Sequence, residues 1–247
     1  MKEIIFEGIH RKIILPLIIT LVLFLTIYSY LIYINEKNII DSSIINAKNN
    51  IKQYITLRKY YTEKINSLEH DRLDAIPSPD SMIHEINYIF EKEDRYIKLN
   101  SYSNYPFPKR KNRMLDEFKK ESLEFLKSNP TKTFFKRELY NNRDSIRVAI
   151  ADIFSDNTCV SCHNKLPMSP KKDWKINDMS GAVEVIVPID IIMNDNMKKS
   201  IQISVIFFIL LCLLLGWIIR VIKNIDIANY KCNKIFYALK YNKDALD

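Results

Sequence analysis

With three glycines in 247 residues, the chain has too few positions free of Cβ to build a glycine-rich phosphate loop. It also lacks any internal repeat or low-complexity tract, so repeat architectures and biased linkers are not expected. The signatures of catalysis are missing as well. No nucleophile stands beside a positioned base, no carboxylates pair at a credible spacing, and no second metal cluster accompanies the cysteines. Substrate turnover is therefore not expected, and the chain is not read as an enzyme. Cysteine is scarce, at four residues, and half of that number sits in one short motif.

What the chain does contain is unevenly spread. Hydrophobic residues make up 47% and charged residues 27%, yet residues 13–34 carry no charge and are long enough, at roughly 20 residues, to cross a hydrocarbon core as a helix. Residues 201–219 repeat this, with Gln202 and Ser204 as mild interruptions. The first run exceeds a signal-peptide core and no small-residue cleavage pattern follows Tyr33, so an uncleaved anchor is expected. Lys2, Arg11 and Lys12 precede it, and Arg220, Lys223, Lys231, Lys234, Lys240 and Lys243 follow the second run, which places both ends in the cytoplasm. The expected organisation is a cytoplasmic N-terminus over 1–12, a span over 13–34, one periplasmic domain over 35–200, a second span over 201–222 and a cytoplasmic tail over 223–247, in a bacterial inner membrane. The net charge of +8 then belongs to topology and surface, and no nucleic-acid partner is implied.

Residues 40–68 hold no proline or glycine, and Ile44, Ile51, Ile55, Leu57 and Ile65 recur near helical spacing. A long helix is expected there, its stripe suited either to a homodimer partner or to its own domain. Ser78-Pro79 reads as the cap and first turn of a helix over 79–91 with Ile83, Ile86 and Phe90 inward. Residues 102–108 predict a turn or extended edge, and a third helix is expected over 114–127, where Leu115, Phe118 and Phe125 share a side and Asn129-Pro130 ends it. Residues 145–153 and 182–189 alternate with the period of a half-buried strand. The fold class expected is α+β: a small antiparallel sheet and a long N-terminal helix, flanked by two transmembrane helices.

Cys159-Val160-Ser161-Cys162-His163 has the Cys-x-x-Cys-His spacing of c-type haem attachment. Two thiols at this separation reach the two vinyl groups of one porphyrin, and the adjacent histidine is placed to ligate the iron. The motif falls in the segment that positive charges place outside, where haem c is attached. A Cys159–Cys162 disulfide would leave His163 unexplained. Zinc would need a fourth ligand, and a thioredoxin-like pair would need a βαβ setting. One covalently attached haem c on Cys159, Cys162 and His163 is the expectation.

After Cys159–Asn164 comes Ser169-Pro170-Lys171-Lys172-Asp173-Trp174-Lys175, then Asp178, Gly181 and Glu184. Upstream stand Tyr60-Tyr61-Thr62-Glu63, Ala75-Ile76-Pro77, His84, Tyr105-Pro106-Phe107-Pro108, and Arg147-Val148-Ala149 with Asp152. In these motifs the chain resembles the periplasmic c-haem sensor domains of PAS-like fold found in front of histidine kinases, nucleotide cyclases and chemoreceptors. The resemblance spans nearly all of the external segment and implies a PAS-like domain. Asn177 stands where that pattern has glycine, a tolerable change because asparagine accepts a left-handed backbone.

His84 is the leading candidate for the second axial ligand: it matches the family pattern and lies off the Ile83/Ile86/Phe90 stripe. His70, Met82, Met168 and Met179 are the others, and an open or water-bound site is a further alternative. Trp174 and the segment 105–108 suit either haem walls or ordinary core. Lys171, Lys172 and Arg147 suit haem propionates, though solvated surface charge is the plainer account of each. The function expected is a redox or small-ligand sensor; a membrane-anchored electron carrier is the alternative. The tail is too short for a kinase or cyclase, so output would pass to a cytoplasmic partner or belong to a longer receptor.

Overall fold

The computed structural model describes residues 2–66, 81–93 and 97–244. Its elements are α1 (Lys2–Asn66), α2 (Ser81–Lys92), β1 (Lys98–Tyr102), a 3-10 turn (Pro108–Arg110), α3 (Glu117–Ser128), β2 (Thr133–Tyr140), β3 (Arg143–Ile153), α4 (Asn157–Lys165), β4 (Met179–Pro188) and α5 (Asp190–Asp244). The chain divides into two compact units. One is Glu36–Asn194; the other joins Met1–Asn35 to Asp195–Asp247.

In the second of these units, α1 and α5 are each long and apolar enough to cross a membrane. Their hydrocarbon side chains, such as Val22, Leu25, Ile203 and Leu210, are exposed, and Phe24 stacks on Phe207 at 5.5 Å.

The unit Glu36–Asn194 is α+β, built on one antiparallel four-stranded sheet of order β1-β4-β3-β2. β2 and β3 form a hairpin whose two-residue turn, Asn141 and Asn142, has φ of 51° and 61°. Such a turn matches the twist of the flanking strands and selects asparagine, which tolerates the left-handed region. Gly181 in β4 is required by close approach: a Cβ there would collide with the Tyr102 carbonyl oxygen.

One face of the sheet packs Leu99, Ile146, Val148, Val183 and Val185 against Ile39, Ala47, Ile51 and Tyr54 of α1 and Ile83 of α2. The stripe on α1 therefore covers its own domain, and Leu57, expected on that stripe, is exposed instead. Asn87 of α2 fastens β1: its Oδ1 accepts from the Leu99 N–H at 2.9 Å and its Nδ2 donates to the Leu99 carbonyl. The other face packs Tyr102, Ala149, Ala151 and Ala182 against Phe118, Leu123 and Leu126 of α3. Helix α3 begins later than expected because Asp116 is its N-cap, accepting from the Lys119 N–H at 2.9 Å. At its other end Asn129 donates to the Phe125 carbonyl at 3.1 Å.

The alternation in 145–153 and 182–189 predicts a half-solvated sheet; α3 covers the second face, so β3 and β4 are buried on both sides. The expected surface account of Arg147 fails for the same reason. Arg147 is 2% exposed and Glu184 0%. Its Nε donates to Glu184 at 2.5 Å, while its terminal nitrogens donate to Glu138 at 2.7 Å and Asp116 at 3.0 Å. The guanidinium also lies 4.1 Å from the centre of the Phe118 ring. Burial pushes the Glu184 carboxyl above the ordinary carboxylate range, against the pull of Arg147. Helix α2 stands within the stretch expected from residue 79 and is described from Ser81; the expected cap and first turn, Ser78-Pro79, lie outside the described residues.

Candidate functional site

Helix α4 carries the Cys-x-x-Cys-His motif and starts at Asp156, whose carboxylate accepts from the Thr158 N–H at 2.6 Å. Helical spacing sets Cys159, Cys162 and His163 on one face, since positions three and four apart are neighbours. Both thiols are free of disulfide; Cys159 is half-buried and Cys162 exposed. Burial holds the Cys159 thiol above its usual pKa, helped by Asp156, with Arg58 opposing.

The His163 ring meets Phe154 edge-on at 4.9 Å and Phe107 at 5.6 Å. Phe154 in turn meets Trp174 at 5.0 Å, and Tyr105 meets Trp174 at 5.2 Å. Asn164, the residue after the motif, explains how the next loop folds back onto α4: its Oδ1 accepts from the Trp174 N–H and its Nδ2 donates to the Trp174 carbonyl, both at 2.9 Å. The loop closes at Asn177, whose φ of 70° is the left-handed turn expected there. Asp178 accepts from the Lys175 N–H at 3.0 Å, and Phe154 exchanges backbone bonds with Asn177 and Asp178. Trp174 is buried, and its Nε1 has no hydrogen-bond partner among the described residues. A buried donor left unpaired costs about 1–3 kcal/mol, so it marks where an acceptor is wanted.

Next to Cys159, Arg58 of α1 forms a two-pronged pair with Asp152 at the end of β3, at 2.8 and 2.5 Å. Burial opposes the charge of Arg58, but Asp152 more than offsets this and holds its pKa above the usual value. Arg58 and Phe154 are the site residues that sequence reasoning missed. Asp152 stands in the recognised motif, but its partner lies 94 residues away and carries no local signal.

The other expected site residues are dispersed. Lys171 is half-buried, 3.5 Å from Asp178 and 4.2 Å from the Trp174 ring centre, whereas Lys172 is exposed. Arg147 belongs to the α3 face of the sheet. Met82 and Met179 pack in the two cores and Met168 is exposed. His84 is placed in α2; its side chain, like the whole of His70, lies outside what the structure describes. Among the described residues no group of three or more His, Cys, Asp or Glu side chains converges as a metal cage.

A family model described as Tll0287-like matches residues 36–188, more than half of the chain. No curated protein and no solved structure matches it. The chain belongs to the Tll0287-like family, a family of sensor-type domains.

Proposed function

Proceeding from that membership, we propose that the protein is a membrane-anchored periplasmic haem c protein of PAS-like fold, acting as a redox or small-ligand sensor. The observation that carries this reading is the single face of α4 that presents Cys159, Cys162 and His163 beside an aromatic wall. The residues fit the cofactor: two unbridged thiols, an imidazole in the third position, apolar rings to exclude water, and the unpaired Trp174 N–H to serve an acidic oxygen. Bound there, haem would supply an iron centre able to exchange one electron or take a small ligand.

The chain's own residues then have distinct tasks. Cys159 and Cys162 would hold the cofactor, and His163 would ligate its iron. Phe154 and Phe107 fix the His163 ring and keep water away. His84 would be the second protein ligand to the iron. Two short routes leave the site. Phe154 is two residues from Asp152, so a displacement of the wall bears on the Arg58 pair and on α1. In the other direction, β4 runs into α5 through Ile189, whose N–H donates to the Asp144 carbonyl at 2.8 Å. Either route needs an element with two arrangements to carry a signal to a cytoplasmic partner.

Expression with the cytochrome c maturation machinery should give a band that keeps its haem stain on a denaturing gel, and Cys159→Ser with Cys162→Ser should remove it. Colourless protein from competent cells would overturn the reading. Carbon monoxide added to the reduced protein tests the sensing half. A prompt Soret shift supports an exchangeable site, and an unchanged spectrum favours an electron carrier.

A further inference from the structure

The apolar run of α5 does not end its pattern at Ile219. Beyond it, Val221, Ile225, Ala228, Cys232, Ile235 and Leu239 continue at alternating steps of four and three, in a helix unbroken to Asp244. On an ideal helix these six fall within an arc of about 80°. The charged residues of the same stretch, Arg220, Lys223, Asp226, Lys231, Lys234 and Lys240, all fall outside that arc. From Ile225 onward nothing among the described residues covers the stripe: Ile225 is 54% exposed, Ile235 61% and Leu239 66%. Cys232 is exposed and free.

The geometry points to a second copy of this chain as the occupant of this stripe, in a parallel two-stranded coiled coil that continues from the membrane span. The alternating steps of four and three are the spacing of a coiled-coil seam, which stays facing its partner as two helices supercoil left-handedly. Copies that cross one membrane in one direction are necessarily parallel. A two-fold axis along the membrane normal then sets each seam residue opposite itself, which an arc without charge allows and a charged one would forbid. Lys231 and Phe236 flank the seam at positions that face each other across such a dimer, a cation beside an aromatic ring. In this arrangement Cys232 occupies a core position and meets the partner's Cys232 within the Cα separation a disulfide accepts, roughly 4.4–6.8 Å. The inference rests on the part of the proposed function that sends α5 across a membrane, and not on haem.

Cys232 makes the test direct. The full chain in native membranes, in a background carrying Cys159→Ser, Cys162→Ser and Cys212→Ser, is oxidised with copper phenanthroline and run on a non-reducing gel. A dimer band is expected that disappears with Cys232→Ser, returns with Ile225→Cys added to that variant, and is at least tenfold weaker with Lys223→Cys or Lys234→Cys instead. A missing band, or equal yields at all four positions, overturns the seam; the first would point to lipid or a different protein on this face. Alkaline carbonate separates the two layers of the argument. A chain it releases refutes the span and the seam with it, while a resistant chain without the band refutes the seam alone.

Discussion

Beneath α1 and α2 the sheet presents Ile146, Val148, Val183 and Val185, and beneath α3 it presents alanines around the buried pair Arg147 and Glu184. The first face gains its stability from apolar area and close packing, which tolerate volume-conserving apolar exchanges and are insensitive to pH. The second is exacting. Two ions removed from water are worth little as a pair against a hydrophobic substitute, yet losing one of them strands the other. The contrast teaches that equal burial on the two faces does not mean equal vulnerability.

The sharpest break of that contrast is Arg147→Met, which leaves Glu184 buried without its cation, with the Asn100 amide at 3.3 Å still donating to it. A loss of about 3–5 kcal/mol is expected in the unfolding of the full chain in detergent. Adding Glu184→Leu should restore most of it, and a double variant as weak as the single would mean that the pair is favourable in its own right. On the hydrocarbon face, Ile51→Val should cost about 0.5–1.5 kcal/mol, the same at every pH where the protein is folded. A pH-dependent cost there would show that the two faces are not separable.

The smallest effect sharpens the comparison through pH. Burial works against the charge of Asp116, but the Lys119 backbone N–H and Arg147 hold its carboxyl below the ordinary range. A carboxyl whose folded pKa is depressed contributes stability that is present above the unfolded value, near 3.9, and lost as pH falls through the folded value. Asp116→Asn keeps a capping side chain while removing the charge. Its deficit against the parent should be full at neutral pH, narrow below about pH 4 and close in stronger acid. A constant deficit across an acid titration would assign the effect to the cap alone.

Periodicity made much of this legible. β3 and β4 stand where alternation expected them, and Ile83 and Phe118 face their cores. What alternation does not encode is the second layer: Arg147 and Glu184 look like solvent positions until α3 is laid over them. β1 and β2 were not expected from the sequence. β1 has only five residues, and β2 mixes phenylalanines with charges because Phe135 and Leu139 remain exposed at the margin of the sheet. The Asn141-Asn142 turn was the available signal for β2. At the site, the spacing of Cys159, Cys162 and His163 was plain, but the Phe154 contact and the Arg58 pair depend on strand ends and a helix that meet only in three dimensions.

The grip of Asn87 on Leu99 has a consequence for how this domain survives as a neighbour to its own copies. An incoming extended segment that tried to enlarge the sheet beside β1 would find the Leu99 amide and carbonyl already engaged by a side-chain carboxamide. Recruitment by templated pairing is therefore blocked at the second residue of that strand by one asparagine on a neighbouring helix.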